Sequence, residues 1–237
     1  MRDKYKNIES AIIEKTKDGD VYYNVFSRLV KDRIIFLSDE IDAEVATTIA
    51  ATMFYLDHQD CKKDITLYIN TPGGTVSDGL LTIYDTMQFI KSPVKTICIG
   101  EAYSAGAVVL ASGSPGKRLA FPNAKVMIHG LQIGGLRGSA VDIAIEAAEI
   151  ARQNIALAEI LARHTGKPIE QVLSDIKTDR YLTAQEALDY GLIDAIVSPS
   201  KQIPKLISES IIALPIAKVL KIPTKKAAIK PKRVNKI

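Results

Sequence analysis

No apolar run in this 237-residue chain approaches the ~20 residues needed to cross a bilayer. The opening MRDKYKNIES also lacks the apolar core of a signal peptide. Both absences lead to the expectation of a soluble, intracellular protein with no membrane partner. Cysteine is equally scarce: Cys61 sits beside a lysine pair and Cys98 inside an apolar stretch, which excludes a disulfide framework. Three histidines and two distant cysteines offer no metal-ligand spacing, so no metal is expected. What the chain does have is 47% hydrophobic residues, enough at this length to bury one sizeable core.

The net charge of +4 hides an asymmetry. Residues 201–237 carry ten Lys or Arg and a single acid, Glu209, for a net +9, while the other 200 residues carry 21 bases and 26 acids. A mildly acidic body thus bears a basic tail, whose end, KIPTKKAAIKPKRVNKI, contains two prolines and no long helical period. The tail reads as a solvated, flexible extension. Nucleic acid is not expected as a partner.

Along the body, strands and helices alternate. RIIFL (33–37) reads as a strand, and the helix after it sets Ile41, Val45, Ile49, Met53 and Leu56 three or four apart on one face. DITLYIN follows as a strand, TPGG as a turn, SDGLLTIYDTMQFIK as a helix and VKTICI as a buried strand. That order implies a mostly parallel sheet with right-handed crossovers. KRLAF and KVMIH are short strands on either side of PNA. From Ser139 to His164 no Gly or Pro occurs, and Gly166 and Pro168 then end one long, glycine-capped helix. IEQVLSDIK makes a shorter helix, TAQEALDYG carries a capping box of Thr183 with Glu186, and LIDAIV is the last strand. One α/β domain ends near residue 200.

GEAYSAGAVVL (100–110) places Ser104 where an apolar strand gives way to a helix of small residues. A serine there is either an ordinary helix N-cap or a nucleophile on a sharp turn, with the helix's first N–H groups facing any negative charge formed beside it. A nucleophilic serine needs a base and an orienting acid. His129, at the end of KVMIH, is placed to project into a cleft, or to sit as a satisfied half-buried histidine. His58 and His164 fall at helix ends among polar residues. Gly73 and Gly74 make either a type II turn or a backbone loop that approaches a substrate closely. The acid stays open among Asp142, Asp175, Asp179 and Asp189.

Five blocks, FSRLVKDRIIFL, DITLYINTPGG, IYDTMQFIKSPVKTICIGEAYSAGA, KRLAFPNAKVMIHG and DRYLTAQEALDYGLID, resemble in order the proteolytic subunit of the Clp protease, the caseinolytic protease P family, from about Tyr23 to Val197. The resemblance implies a serine endopeptidase with the spiral ββα fold shared with crotonases, a single domain with a long protruding helix. It makes residues 1–22 an N-terminal axial segment, 23–200 the peptidase domain and 201–237 a C-terminal extension. Position by position, Ser104 matches the nucleophile, His129 the base and Asp179 the acid, with the Gly74 and Ala105 N–H groups as oxyanion hole. Tyr68, Phe89, Ile97 and Ile99 fall where the family docks a hexameric AAA+ unfoldase. That partner would spend the ATP, this subunit needing no cofactor, and would feed unfolded proteins into stacked heptameric rings of this chain or sister subunits, with the 139–164 helix at the contact between rings.

The chain also departs from the family pattern. Thr66 stands where Tyr is common, Tyr103 replaces a small residue and Ala105 a Met. Gly130 and Leu131 replace Gln and Pro, and an extra residue falls near Leu80 and Leu81. All three triad positions are kept, which argues against a catalytically idle ring subunit. A crotonase-type acyl-CoA enzyme would need neither Ser104 nor His129.

Overall fold

The computed structural model describes residues 12–17 and 19–197. The basic extension 201–237 and residues 1–11 of the axial segment lie outside these described residues. Within that segment, Ile12–Thr16 (β1) and Gly19–Tyr23 (β2) pair as an antiparallel hairpin. The body then runs α1 (Val25–Lys31), β3 (Ile34–Leu37), α2 (Ala43–Gln59), β4 (Ile65–Thr71), a five-residue π turn (Val76–Leu80) that continues into α3 (Leu81–Phe89), and β5 (Val94–Tyr103). It is completed by α4 (Ala105–Ala111), β6 (Arg118–Ala120), β7 (Lys125–Ile128), α5 (Ala140–Thr165), α6 (Ile169–Asp175), β8 (Arg180–Thr183), α7 (Ala184–Tyr190) and β9 (Ala195–Ile196).

Strands β3, β4, β5, β6 and β9 form one parallel path. The ten-residue β5 has two neighbours on the same side. Thr96–Cys98 pair with β6, whereas Glu101–Tyr103 pair with β7, which in turn carries β8 antiparallel. This split gives each turn of the chain two strand positions and one helix, the ββα spiral. It also explains why β5 outruns the expected VKTICI: Gly100 lies within the strand, where a side chain would have met the Asn70 Oδ1 at 2.2 Å, and the strand stops only at Ser104.

The helices cover the sheet with the faces their spacing predicts, with one shift. Asp42 caps α2, its carboxylate accepting from the Val45 N–H, so Ile41 precedes the helix and its backbone pairs with Gly74 instead. The buried face is Ala46, Ile49, Ala50, Met53 and Leu56, with Val45 half-buried against it. In α5 the Ser139–Asp142 capping box and the left-handed Gly166 (φ 71°) mark the ends. Its burial is one-sided in length: Leu157, Ala158, Ile160 and Leu161 join the core, while residues 140–148 are exposed, so the first half of the helix protrudes. Cys98 is buried in β5, where desolvation pushes its thiol up to about 12 and keeps it protonated. Among the described residues no helix is long and apolar enough to cross a membrane.

One side chain ties these layers together. Arg118, at the start of β6, donates through Nη1 to the carbonyls of Ala111, His164 and Gly191, which are the C-terminal ends of α4, α5 and α7. Its Nε and Nη2 make a two-pronged pair with Asp194 just before β9, at 3.0 and 2.5 Å, with the two side chains 12% and 21% exposed. A cation at three helix C-termini satisfies orphan carbonyls and meets the negative ends of the helix dipoles. Burial opposes ionisation of Asp194, but the Arg118 hydrogen bonds and charge outweigh it and hold the carboxyl below the usual carboxylate range.

Arg118→Met removes the cation opposite the Asp194 carboxylate, leaving it only backbone N–H donors, and takes away the side-chain donor of three carbonyls; it is expected to destabilise the domain by about 3 kcal/mol. Asp194→Asn is expected to cost about 2 kcal/mol at neutral pH. Because the folded pKa of Asp194 is depressed, its contribution is complete above the unfolded value and is lost as pH falls through the folded one. The gap between native and Asp194→Asn protein in urea unfolding should therefore shrink below about pH 4.

Candidate active site

Where β5 meets α4 the chain turns on Ser104, at φ 53° and ψ −121°. A non-glycine residue rarely takes this conformation, which costs on the order of 1–3 kcal/mol. Three features hold it. The Ser104 N–H donates to the Met127 carbonyl of β7 at 2.8 Å, the Ser104 carbonyl accepts from Ala107 and Val108, and all seven residues of α4 are buried. The neighbouring glycines make room: a Cβ on Gly73 would lie 2.7 Å from the Ser104 Cβ, and one on Gly106 would lie 2.5 Å from the Thr71 Cγ2. Ser104 makes no capping hydrogen bond to α4. Its hydroxyl is instead 2.8 Å from the His129 Nε2.

His129 owes its place to β7, which ends one residue earlier. The loop beyond is pinned by Gly130 N–H to the Ile176 carbonyl at 2.7 Å and by Leu131 N–H to the Asn154 Oδ1 at 2.9 Å. A side chain at Gly130 would meet that same Asn154 Oδ1 at 2.8 Å, which accounts for glycine there. The β7–β8 register pairs Ile128 with Arg180, so the next residues out, His129 and Asp179, face each other. The Asp179 Oδ1 lies 3.4 Å from the His129 Nδ1. That contact falls short of a formed hydrogen bond, and Nδ1 is buried with no partner among the described residues. The same Oδ1 accepts from the Gln132 Nε2 at 3.3 Å.

The other three acids are engaged elsewhere. Asp142 closes the α5 capping box, Asp175 accepts from the Tyr190 hydroxyl at 2.9 Å and pairs with Arg180 at 2.5 Å, and Asp189 accepts from Gln185 at 2.9 Å. Of the other histidines, His58 is exposed on α2 and His164 contacts Tyr84, with burial lowering its pKa.

Beside the serine lies a cavity of about 180 Å³, lined by Gly74, Val76, Leu80, Ala105, Leu131, Gln132 and Leu157 along with Ser104, His129 and Gly130. Gly74 is more than a turn residue. Its segment bridges Ile41 in parallel fashion, with Ile41 N–H donating to Gly73 and Thr75 N–H to Ile41. Peptide groups alternate along an extended chain, so the Gly74 N–H faces away from Ile41. Ala105 is the first residue of α4, and its N–H is one of the helix's orphan donors. Among the described residues neither N–H donates to a protein acceptor.

The π turn supplies Val76 and Leu80 to this cavity. Its hydrogen bonds, Leu80 N–H to the Thr75 carbonyl and Leu81 N–H to that of Val76, take in one residue more than an α turn. A π turn is a place where one extra residue can be taken up, and this one lies beside Leu80 and Leu81, where the sequence predicts an extra residue. Tyr103 does not line the cavity; it meets Tyr181 edge to face at 5.6 Å. Among the expected docking residues, Tyr68 and Ile97 are paired across β4 and β5, with Tyr68 stacked on Phe36 at 5.1 Å. Ile97 is buried and Ile99 half-buried, while Phe89 is 80% exposed and meets the Phe54 ring at 6.1 Å. Thr66 is half-buried between Ile34 and Lys95. Gln132 went unread in the sequence, since a lone glutamine near two glycines carries no signal of its own.

The arrangement can abstract a hydroxyl proton at Ser104 and offer two N–H donors to an oxygen beside it. A family model described as Clp protease matches residues 17–200, a span that contains every residue of this site.

Gly74→Ala tests how tightly the donor loop is fixed. The new Cβ would fall 2.1 Å from the Ile41 carbonyl oxygen, which belongs to the backbone and has no room to yield. The loop must move, with an expected loss of about 1–3 kcal/mol in urea unfolding and a still larger loss of reactivity at Ser104. Retention of both would mean that the Ile41 bridge does not hold the loop.

Proposed function

Because the chain belongs to the Clp protease family, and so is a Clp-type peptidase, we propose that it cleaves peptide bonds with Ser104 as nucleophile, His129 as general base and Asp179 as orienting acid. The observation that carries this reading is the 2.8 Å contact between the Ser104 Oγ and the His129 Nε2 at a strained strand-to-helix turn. A serine hydroxyl is inert at neutral pH until a base takes its proton. His129 Nε2 removes that proton as Oγ attacks the carbonyl carbon, and the carbonyl oxygen becomes an oxyanion between the Gly74 and Ala105 N–H groups. Each such donor contributes on the order of 3 kcal/mol to the transition state. The protonated His129 then gives its proton to the leaving amine, leaving an acyl-enzyme that water hydrolyses by the same steps in reverse. Asp179 holds the productive tautomer of the ring and stabilises its charged form.

In this reading the active form is a pair of stacked heptameric rings, a tetradecamer of this chain or of this chain with sister subunits. A hexameric AAA+ unfoldase docks on the surface that includes Tyr68, Phe89, Ile97 and Ile99 and feeds in unfolded polypeptides, which are cut to short peptides. The protruding half of α5 supports a contact between rings: it leaves Val141 (67%) and Ile145 (64%), both apolar, largely exposed among the described residues. No cofactor is needed in this subunit. The working compartment is the cytoplasm or an organelle stroma or matrix.

Ser104→Ala removes only the hydroxyl, so cleavage of a short fluorogenic peptide should be abolished while the unfolding curve and assembled mass stay unchanged. A variant still cleaving at a near-native rate would sink the assignment.

Asp179→Asn should lower turnover by orders of magnitude, about 10⁴ in the serine–histidine–aspartate template, since an amide favours the wrong tautomer. Asp175→Asn should weaken the Tyr190 and Arg180 contacts, lowering stability but hardly turnover. The reverse ranking in steady-state kinetics would move the acid to Asp175.

A further inference from the structure

The weakest link in the site is the one between Asp179 and His129. Asp179 is 45% exposed, and its Oδ1 lies almost equally far from two donors, 3.4 Å from the His129 Nδ1 and 3.3 Å from the Gln132 Nε2. Only the glutamine contact is aligned as a hydrogen bond, and the imidazole Nδ1 is left buried without a partner. An unmet buried donor is unfavourable by an amount similar to a hydrogen bond on a charged acceptor. The carboxylate therefore stands between two partners of comparable strength. Gln132 is exposed, and it lines both the cavity beside Ser104 and the adjoining cleft bounded by Glu40, Gly74 and Asp78. A substrate chain seated there cannot avoid it.

We infer that Gln132 is a positioning residue: its amide holds Asp179 off His129 in the free protein and gives it up when substrate occupies the cavity. The triad then closes only around a bound peptide. The inference rests on Ser104 and His129 acting as proposed above. Besides Asp179, the charged side chains on the elements around the ring are Lys177 and the Asp175–Arg180 pair on the segment leading into β8, and Glu40 and Asp78 across the cleft. All are unchanged by substitution at residue 132.

The test uses the full-length assembled protein and two variants: Gln132→Met keeps length without a donor, and Gln132→Lys keeps a stronger donor. The rate at which a fluorophosphonate probe labels Ser104 is followed against pH, together with kcat and kcat/KM for a short fluorogenic peptide. With the competitor gone, Gln132→Met should label about tenfold faster at neutral pH, the factor expected for one hydrogen bond to a charged acceptor. The acid limb of its labelling rate should move to higher pH, because a carboxylate bonded to the ring stabilises the charged imidazole. Its kcat/KM should rise in step while kcat holds, since the bound complex has already released Gln132. Gln132→Lys should label more slowly than the native protein. Gln132→Met labelling unchanged or slower, or a fall in its kcat, would overturn the inference and make Gln132 a brace for Asp179 or a bystander. Failure of all three proteins to label would overturn the catalytic assignment of Ser104 and this inference with it, whereas labelling that ignores residue 132 overturns this inference alone.

Discussion

The hydrogen bond from the Ser104 N–H to the Met127 carbonyl sets the geometry of the site. It joins the end of β5 to β7 at the strained turn, and His129 follows two residues after Met127, just past the end of β7. The distance between hydroxyl and imidazole is therefore fixed by strand pairing, which is far stiffer than any side-chain contact. The strain at Ser104 is offset by α4, whose small residues bury completely against Thr71 and the sheet. Small residues are needed there because a helix that starts directly from a strand must lie close to it.

Arg118 plays the corresponding part for the rest of the fold. Three helices end on one guanidinium, and the last strand is clamped to it through Asp194. The helices that end there include α4, which begins at the candidate nucleophile, and α5, which supplies Asn154 to the loop after His129. The two centres therefore share two helices.

Local chemistry was legible in the sequence and tertiary register was not. The ends of α5 and α7 could be read from Ser139, Gly166, Thr183 and Glu186, because a cap is formed by residues within one turn of each other. Ser104 and His129 stood out because a strand end projects its next residue, yet the N-cap reading of Ser104 failed only once its hydroxyl was seen to face His129. The choice among four aspartates depended on the pairing of β7 with β8, which spacing does not reveal; the family resemblance pointed to Asp179 instead. The full length of β5 was hidden because GEAY has no strand-like composition and pairs through its backbone with β7. Ile41 had the right spacing for α2 and was claimed instead by the Gly74 loop. Gln132 belongs to no motif, and its importance comes from its position beside a carboxylate.

The antiparallel pairing of β7 with β8 also governs when the site can exist. Synthesis runs from the N-terminus, so the serine elbow and His129 leave the ribosome before Asp179, which follows about fifty residues later. At roughly 5–20 residues per second that is an interval of seconds, during which Ser104 and His129 have no carboxylate across from them. A slip of one residue in laying down β8 would bring Arg180 opposite His129 and turn every side chain of the strand to the other face. An unfinished or misregistered copy therefore presents a cation or nothing where Asp179 belongs. In the proposed reading, the pairing of β8 with β7 is thus the last step in assembling the site.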